Sequence, residues 1–312
     1  MRILLVGGLG YIGSRVGTDL HQAGHEIVSV DLEWFPMEHV LPYSNVRADF
    51  GSEQVRQMAS DVEAVIVFAG HGSVKMCHRE ILSALRNNVE NLIRLAGALR
   101  PEQFLIYAST SSVYGVTQED PASESRLLSI PLNEYDLTKQ MGDAAMRFTC
   151  HRKFWGLRMG TVCGGSMNLR VDLMLNAMFH AAKTEGKIPL FGGNPHRPIL
   201  WIGDLVRAIR QILETARGHG VAYNLASYNS TAEECANDVA TWTGVEIERR
   251  SSPPGDSSKL RSTAYDFAIS TDAFRKILDF EFEGTPSDIL KELDLYYPQA
   301  HLATRDRPIP YG

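Results

Sequence analysis

Ile3-Leu4-Leu5-Val6-Gly7-Gly8-Leu9-Gly10-Tyr11-Ile12-Gly13 decides how this chain folds. Four apolar residues in succession read as a strand buried on both faces. Residues 11–23, closed by Gly24, read as a helix. The glycines between follow G-x-x-G-x-x-G. Gly7 permits a tight turn, Gly10 lets a pyrophosphate approach the backbone, and Gly13 lets helix and strand pack closely. The helix start, at Tyr11 and Ile12, offers free N–H groups and a positive dipole end to that phosphate. A glycine-rich turn also occurs without any ligand, so the neighbouring strand matters. It covers 26–30 and ends at Asp31, 18 residues after Gly13, close to the ~20 expected for the acid that holds ribose hydroxyls. A carboxylate there repels a 2′-phosphate, and no arginine stands among Leu32, Glu33 and Trp34. The expected cofactor is NAD rather than NADP.

Working outward, apolar runs at 64–69, 104–109 and 154–159 read as further strands, separated by helical patterns, notably 81–99 and 134–148. Short strands, apolar throughout and alternating with helices, imply a parallel sheet covered on both faces. The fold class is α/β, a doubly wound parallel (Rossmann) sheet. Residues 1–165 form the expected dinucleotide-binding domain. The strand-like segments 198–202 and 221–226, with a helix over 204–217 between them, are expected to carry 198–228 back to its sheet. Residues 166–197 and 229–312 are left as a smaller, interleaved C-terminal substrate domain.

Tyr135 and Lys139 stand four apart in a helical segment, so their side chains share one face. A free phenol has a pKa of ~10. A fixed ammonium beside it favours the phenolate, giving a base or acid suited to a sugar hydroxyl. A Ser/Thr cluster at 109–112 precedes the pair.

Bulk properties exclude other classes. The 312 residues are 44% hydrophobic and 22% charged, with a net charge of −6; these are the values of a globular domain with ample core. No Lys/Arg block marks a nucleic-acid or anionic-membrane partner. No run of 18 apolar residues suggests a membrane span, and the apolar start is too short for a signal peptide. Cys77, Cys150, Cys163 and Cys235 are scattered, which points to a reducing, cytoplasmic setting. Cys77-His78 and Cys150-His151 lack ligand spacing, so no metal is expected. The G-x-S-x-G elbow of hydrolases is absent.

With these motifs, the chain resembles the extended short-chain dehydrogenases/reductases, the group of nucleotide-sugar epimerases and dehydratases. The glycine loop, Asp49-Phe50, Phe68-Ala69-Gly70 and Asn88-Val89 resemble the family's cofactor-contacting segments. Ser109-Thr110-Ser111-Ser112-Val113-Tyr114-Gly115 resembles its S-S/T-x-x-V-Y-G strand end, which puts Thr110 at the catalytic Ser/Thr position. Leu190-Phe191-Gly192-Gly193, then Arg197-Pro198 and Asp204, resemble the segment that bears the nucleotide diphosphate. The resemblance implies NAD held at Gly7, Gly10, Tyr11, Ile12, Gly13, Asp31, Asp49, Phe50, Ala69, Gly70, Asn88, Tyr135 and Lys139. It implies catalysis by Thr110, Tyr135 and Lys139 on a nucleotide-diphosphate sugar, in a homodimer joined through the helices at 81–99 and 134–148. Trp201, Thr161 and Cys163 depart from the family's His, Asn and Tyr. Ser111 and Ser112 replace the Asp-Glu pair of 4,6-dehydratases, and Ser112 the Cys of fucose-synthase-like members.

What remains is hydride chemistry at a single carbon. A 4-epimerase is favoured, with a net oxidoreductase as the alternative. Arg197 is expected to meet the diphosphate. Arg170 has two readings, a reach to the sugar nucleotide or a helix-start salt bridge. Arg261 matches the diphosphate role loosely and reads equally as a surface arginine. Asn88 reads as a cofactor-side group or a helix-face amide. Two rivals stand further off. One is a dinucleotide-sensing regulator, disfavoured by the retained Tyr/Lys pair; the other is a reductase of small ketones, disfavoured by Arg197-Pro198.

Overall fold

The computed structural model describes residues 1–34, 40–117, 120–150, 154–191, 194–250 and 266–303. The first six strands are β1 (Arg2–Val6), β2 (Glu26–Asp31), β3 (Asn45–Arg47), β4 (Ala64–Val67), β5 (Phe104–Thr110) and β6 (Phe154–Met159). With Val221–Leu225 they form one seven-stranded parallel sheet. Its order is β3, β2, β1, β4, β5, β6 and then Val221–Leu225. Side chains alternate across the sheet. Leu4, Val6, Val65 and Val67 pack on one side with Leu92, Leu95 and Met146. Ile3, Leu5, Ile66 and Ile106 pack on the other with Val16, Leu20 and Ile209. Both faces are therefore dry, which is why these strands read as unbroken apolar runs.

The order reverses between β1 and β4. In open α/β sheets a crevice opens at such a reversal, beyond the carboxyl ends of the strands. Here it lies between the glycine loop and Phe68–Gly70. The two walls touch closely, since a Cβ on Gly7 (φ 85°) would stand 2.5 Å from Ala69 N.

Two expectations need correction. Val221–Leu225 joins the sheet beside β6, but the strand at 198–202 does not. It runs from His196 to Trp201 and pairs with Thr161–Cys163 and Tyr228–Thr231 in a separate three-stranded sheet. The edge of β6 is already taken by Val221–Leu225. Just past it, a Cβ on Gly160 would meet Pro198 O at 2.7 Å, so the glycine lets the crossing strand pass. The helix expected over 81–99 is also three pieces, Ile81–Leu85, a π-helical turn Arg86–Glu90, and Asn91–Gly97. The π turn places Asn87, Asn88 and Asn91 together in the interior, where Asn91 Nδ2 donates to Asn87 Oδ1.

Beyond the sheet, Ile188–Phe191 pairs with Ile247–Arg250, and Asn168–Arg170 pairs with His301–Ala303. Among the described residues no helix is long and apolar enough to cross a membrane.

Candidate active site

The helix after β1, α1 (Tyr11–Gln22), starts at Gly10 with no side-chain cap and no acid in its first turn. Its N–H groups face a cleft of about 400 Å³. A Cβ on Gly13 would lie 2.0 Å from Gly7 O, whereas one on Gly10 would meet only Gly7 O, at 3.3 Å. Gly13 is thus required by the protein's own packing, and Gly10 leaves an open face. An uncapped helix start beside bare backbone fits the pyrophosphate of a dinucleotide.

The opposite wall is built from the end of β5 and the helix Glu134–Thr149. Asn133 caps that helix, its Oδ1 accepting from Asp136 N at 2.9 Å, and Glu134 and Asp136 in the first turn suit the helix dipole. Tyr135, half-buried, and Lys139, one turn on, both line the cleft. Lys139 Nζ sits 5.8 Å from the Tyr135 ring centre and donates to Ala108 O at 2.9 Å. Thr110, the last residue of β5, caps the short helical turn Ser111–Tyr114 and lines the same cleft. The structure therefore brings Thr110, Tyr135 and Lys139 into one cavity with Gly7, Gly10, Tyr11, Ile12, Gly13 and Gly70.

Tyr11 also has a structural task. Its hydroxyl donates to Gly164 O at 2.9 Å and accepts from Asn176 Nδ2 at 3.2 Å. Burial pushes its pKa far up, so the phenol stays protonated as a strut.

Both remaining arginines with described placement line the cleft. Arg170 is bidentate to Asp172, at 2.8 Å on each oxygen, so the salt-bridge reading holds beside the cleft position. Arg197 lies over the Phe267 ring, 5.3 Å from its centre. Arg261 lies outside the described residues, as do Gly192 and Gly193.

Asp31, Asp49, Phe50, Ala69 and Asn88 do not line this cleft. Asp31 accepts from Leu9 N at 3.1 Å and Glu33 N at 3.0 Å, tying the glycine loop to the end of β2, and burial raises its pKa. Asp49 turns back to Gly51 N, and Phe50 is core. Asn88 clamps the backbone of His71 through both its N–H and C=O and donates to Thr138 Oγ1 at 2.9 Å. It is the buried amide of the two readings. Ala69 and Asn88 share a small void behind the cleft with Lys139.

Three features escaped the sequence. Phe267, under Arg197, comes from 70 residues away and carries no local signal. Asp136 looks like a capping residue but also accepts from Ser112 Oγ at 2.5 Å. Asp143 and Arg158 form a buried ion pair at 2.8 Å beneath the site.

A family model described as the NAD dependent epimerase/dehydratase family matches residues 3–226. The UDP-glucose 4-epimerase of Lactobacillus helveticus is 24% identical over 304 residues, covering 84% of this chain and 90% of that protein. The UDP-glucuronic acid 4-epimerase from Bacillus cereus, solved with UDP-glucuronic acid and NAD, superposes with a TM-score of 0.80 at 21% identity, over 96% of this chain and 99% of that one. TunA, an NAD-dependent NDP-hexosamine 5,6-dehydratase, gives 0.81 at 20% identity with the same coverage, 96% and 99%. These superpositions establish the fold. The family match runs from β1 through both walls of the cleft to Ala226, and the chain accordingly belongs to the NAD-dependent epimerase/dehydratase family, as an NAD-dependent enzyme of the extended short-chain dehydrogenase type.

Proposed function

We propose that this chain is a nucleotide-sugar 4-epimerase that works through transient oxidation to a 4-keto sugar. The observation that carries the reading is the meeting of Thr110, Tyr135 and Lys139 with the glycine loop in one cleft. The 4-epimerase from Lactobacillus helveticus, similar over 84% of the chain, supports the choice of reaction.

NAD, when bound, supplies the hydride acceptor and donor. The glycine loop holds its pyrophosphate, Asp31 its adenine-side ribose, and Lys139 its nicotinamide ribose. Tyr135 takes the proton from the C4 hydroxyl, and the ammonium of Lys139 favours its phenolate. Thr110 hydrogen-bonds the same oxygen as it becomes ketone-like. Arg170 and Arg197 line the cleft and meet the diphosphate. Rotation of the keto sugar before hydride returns gives the epimer.

The helices at 81–97 and 134–149 support assembly with a second copy. Leu137, Met141 and Phe148 on one, and Leu82 on the other, are exposed apolar residues, a pattern that marks interaction surfaces.

Calorimetry with UDP, GDP, CDP and dTDP identifies the nucleotide, and incubation with the matching sugars follows. The expected result is C4 epimerisation with no net change in cofactor absorbance. Net reduction or oxidation of NAD assigns an oxidoreductase instead, and no binding of any nucleotide refutes the substrate class. Tyr135→Phe is expected to lose about 10²–10⁴-fold in turnover while still binding the nucleotide. Retention of most activity in that variant rejects the assignment.

A further inference from the structure

Asp136 directly follows Tyr135 and lies in the cleft wall with 2% of its surface exposed, yet it takes no part in the proton transfer just described. Its Oδ1 accepts from Ser112 Oγ at 2.5 Å, and its Oδ2 accepts from Asn133 Nδ2 at 2.7 Å. The first distance is in the range of charge-assisted O–H···O⁻ bonds. Ser112 Oγ in turn stands 3.0 Å from Thr110 Oγ1. A hydroxyl has one proton and two lone pairs. Ser112 donates its proton to Asp136, so the proton on the line between Ser112 and Thr110 belongs to Thr110. Thr110 Oγ1 also accepts from Ser112 N at 3.3 Å. One lone pair of Thr110 is left.

We infer that Asp136 is a positioning residue which, through Ser112, turns the Thr110 proton away from the substrate and its remaining lone pair toward it. The inference rests on the cleft being a sugar-oxidising site. Such a site receives a hydroxyl, which brings its own proton, better than it receives a carbonyl. When the ketone forms, Thr110 must give up its bond to Ser112 in order to donate. The keto sugar is thereby held at low occupancy and returns quickly to an alcohol, which suits an enzyme that must not release its intermediate.

Asp136→Asn reverses the polarity with almost no change of shape. The Asn133 amide nitrogen keeps an oxygen at the Oδ2 position, so the new amide nitrogen takes the place of Oδ1 and donates to Ser112. The proton of Ser112 then turns to Thr110, and that of Thr110 turns to the cleft. The helix cap survives, because it uses the backbone N–H of residue 136. The measurement is the absorbance of reduced nicotinamide in NAD-loaded protein with saturating UDP-glucose, or with whichever nucleotide sugar wild type turns over. The reduced fraction is expected to rise about fivefold to tenfold in Asp136→Asn, the ratio that one redirected hydrogen bond supplies. Ser112→Ala, which removes the acceptor that holds the Thr110 proton, is expected to move it the same way. A loosened helix would slow turnover without raising this fraction. An unchanged or lower fraction in both variants overturns the inference alone. A wild type that neither epimerises nor reduces cofactor with any nucleotide sugar sinks the proposed function, and the inference with it.

Discussion

Removing Asp143 tests whether the polar contacts beneath the cleft hold the catalytic helix. Asp143 Oδ2 accepts from Arg158 Nε at 2.8 Å, and its Oδ1 accepts from Tyr107 Oη at 2.8 Å. Arg158 also donates to Tyr114 Oη, which donates to Asn224 Oδ1, both at 2.8 Å. The side chains of Asp143 and Arg158 are 5% and 11% exposed. Asp143→Ala strips the partner from a guanidinium that water barely reaches, at about 3–5 kcal/mol. It also orphans the buried Tyr107 hydroxyl, at about 1–3 kcal/mol. The two losses overlap, because water entering the new void serves both groups, so the expected total is about 4–6 kcal/mol. For a chain of this size that lowers the melting temperature by about 10 °C. Replacing all the partners together, as Asp143→Leu, Arg158→Met and Tyr107→Phe, is expected to recover most of the loss, since an apolar triad leaves no buried charge behind. Thermal melts followed by circular dichroism check both variants. A single variant that melts within about 2 °C of wild type, or a triple variant as unstable as the single one, refutes the account.

Two other outcomes follow from geometry. Gly13→Ala places its Cβ 2.0 Å from Gly7 O, so the glycine loop must shift; NAD affinity is expected to fall at least tenfold by calorimetry, and unchanged affinity contradicts the role given to the loop. Leu137→Glu with Met141→Glu puts charge on the exposed apolar face of the catalytic helix; light scattering is expected to change from dimer to monomer, and a wild type that is itself monomeric removes the proposed interface.

How much of this was legible in the sequence depended on whether the deciding contacts were local. The glycine loop and the strands at 64–67, 104–110 and 154–159 were readable because burial on both faces leaves an apolar run. Tyr135 and Lys139 were readable because helical spacing alone puts them on one face. β3 was not, since Asn45–Arg47 is a three-residue edge strand with no buried residue. The strand at 196–201 was recognised but assigned to the wrong sheet. Its choice of neighbour depends on Val221–Leu225 having occupied the edge of β6, which no window around Pro198 reveals. The π turn at 86–90 was hidden for a related reason. Asn87, Asn88 and Asn91 read as a solvated face, but their amides are buried on partners supplied by His71 and Thr138.

The helix Glu134–Thr149 shows why polar residues at an inner face belong to the chemistry. Asp136 accepts from Ser112, Lys139 donates to Ala108 O, Gln140 donates to Val113 O, and Asp143 pairs with Arg158. These positions fall at i, i+3, i+4 and i+7, the stripe that a helix ordinarily fills with leucine. Apolar packing tolerates small slides of a helix along a sheet, whereas hydrogen bonds lose strength steeply with distance and angle. A polar stripe therefore fixes the height and rotation of this helix relative to β5 more tightly than leucines would. Tyr135 stands on its first turn and Thr110 at the end of β5, so the distance between base and hydroxyl is set by those same bonds. Groups held in place before the substrate arrives need no reorganisation during reaction. The stripe thus exchanges some hydrophobic stabilisation for a fixed separation between the two walls of the cleft.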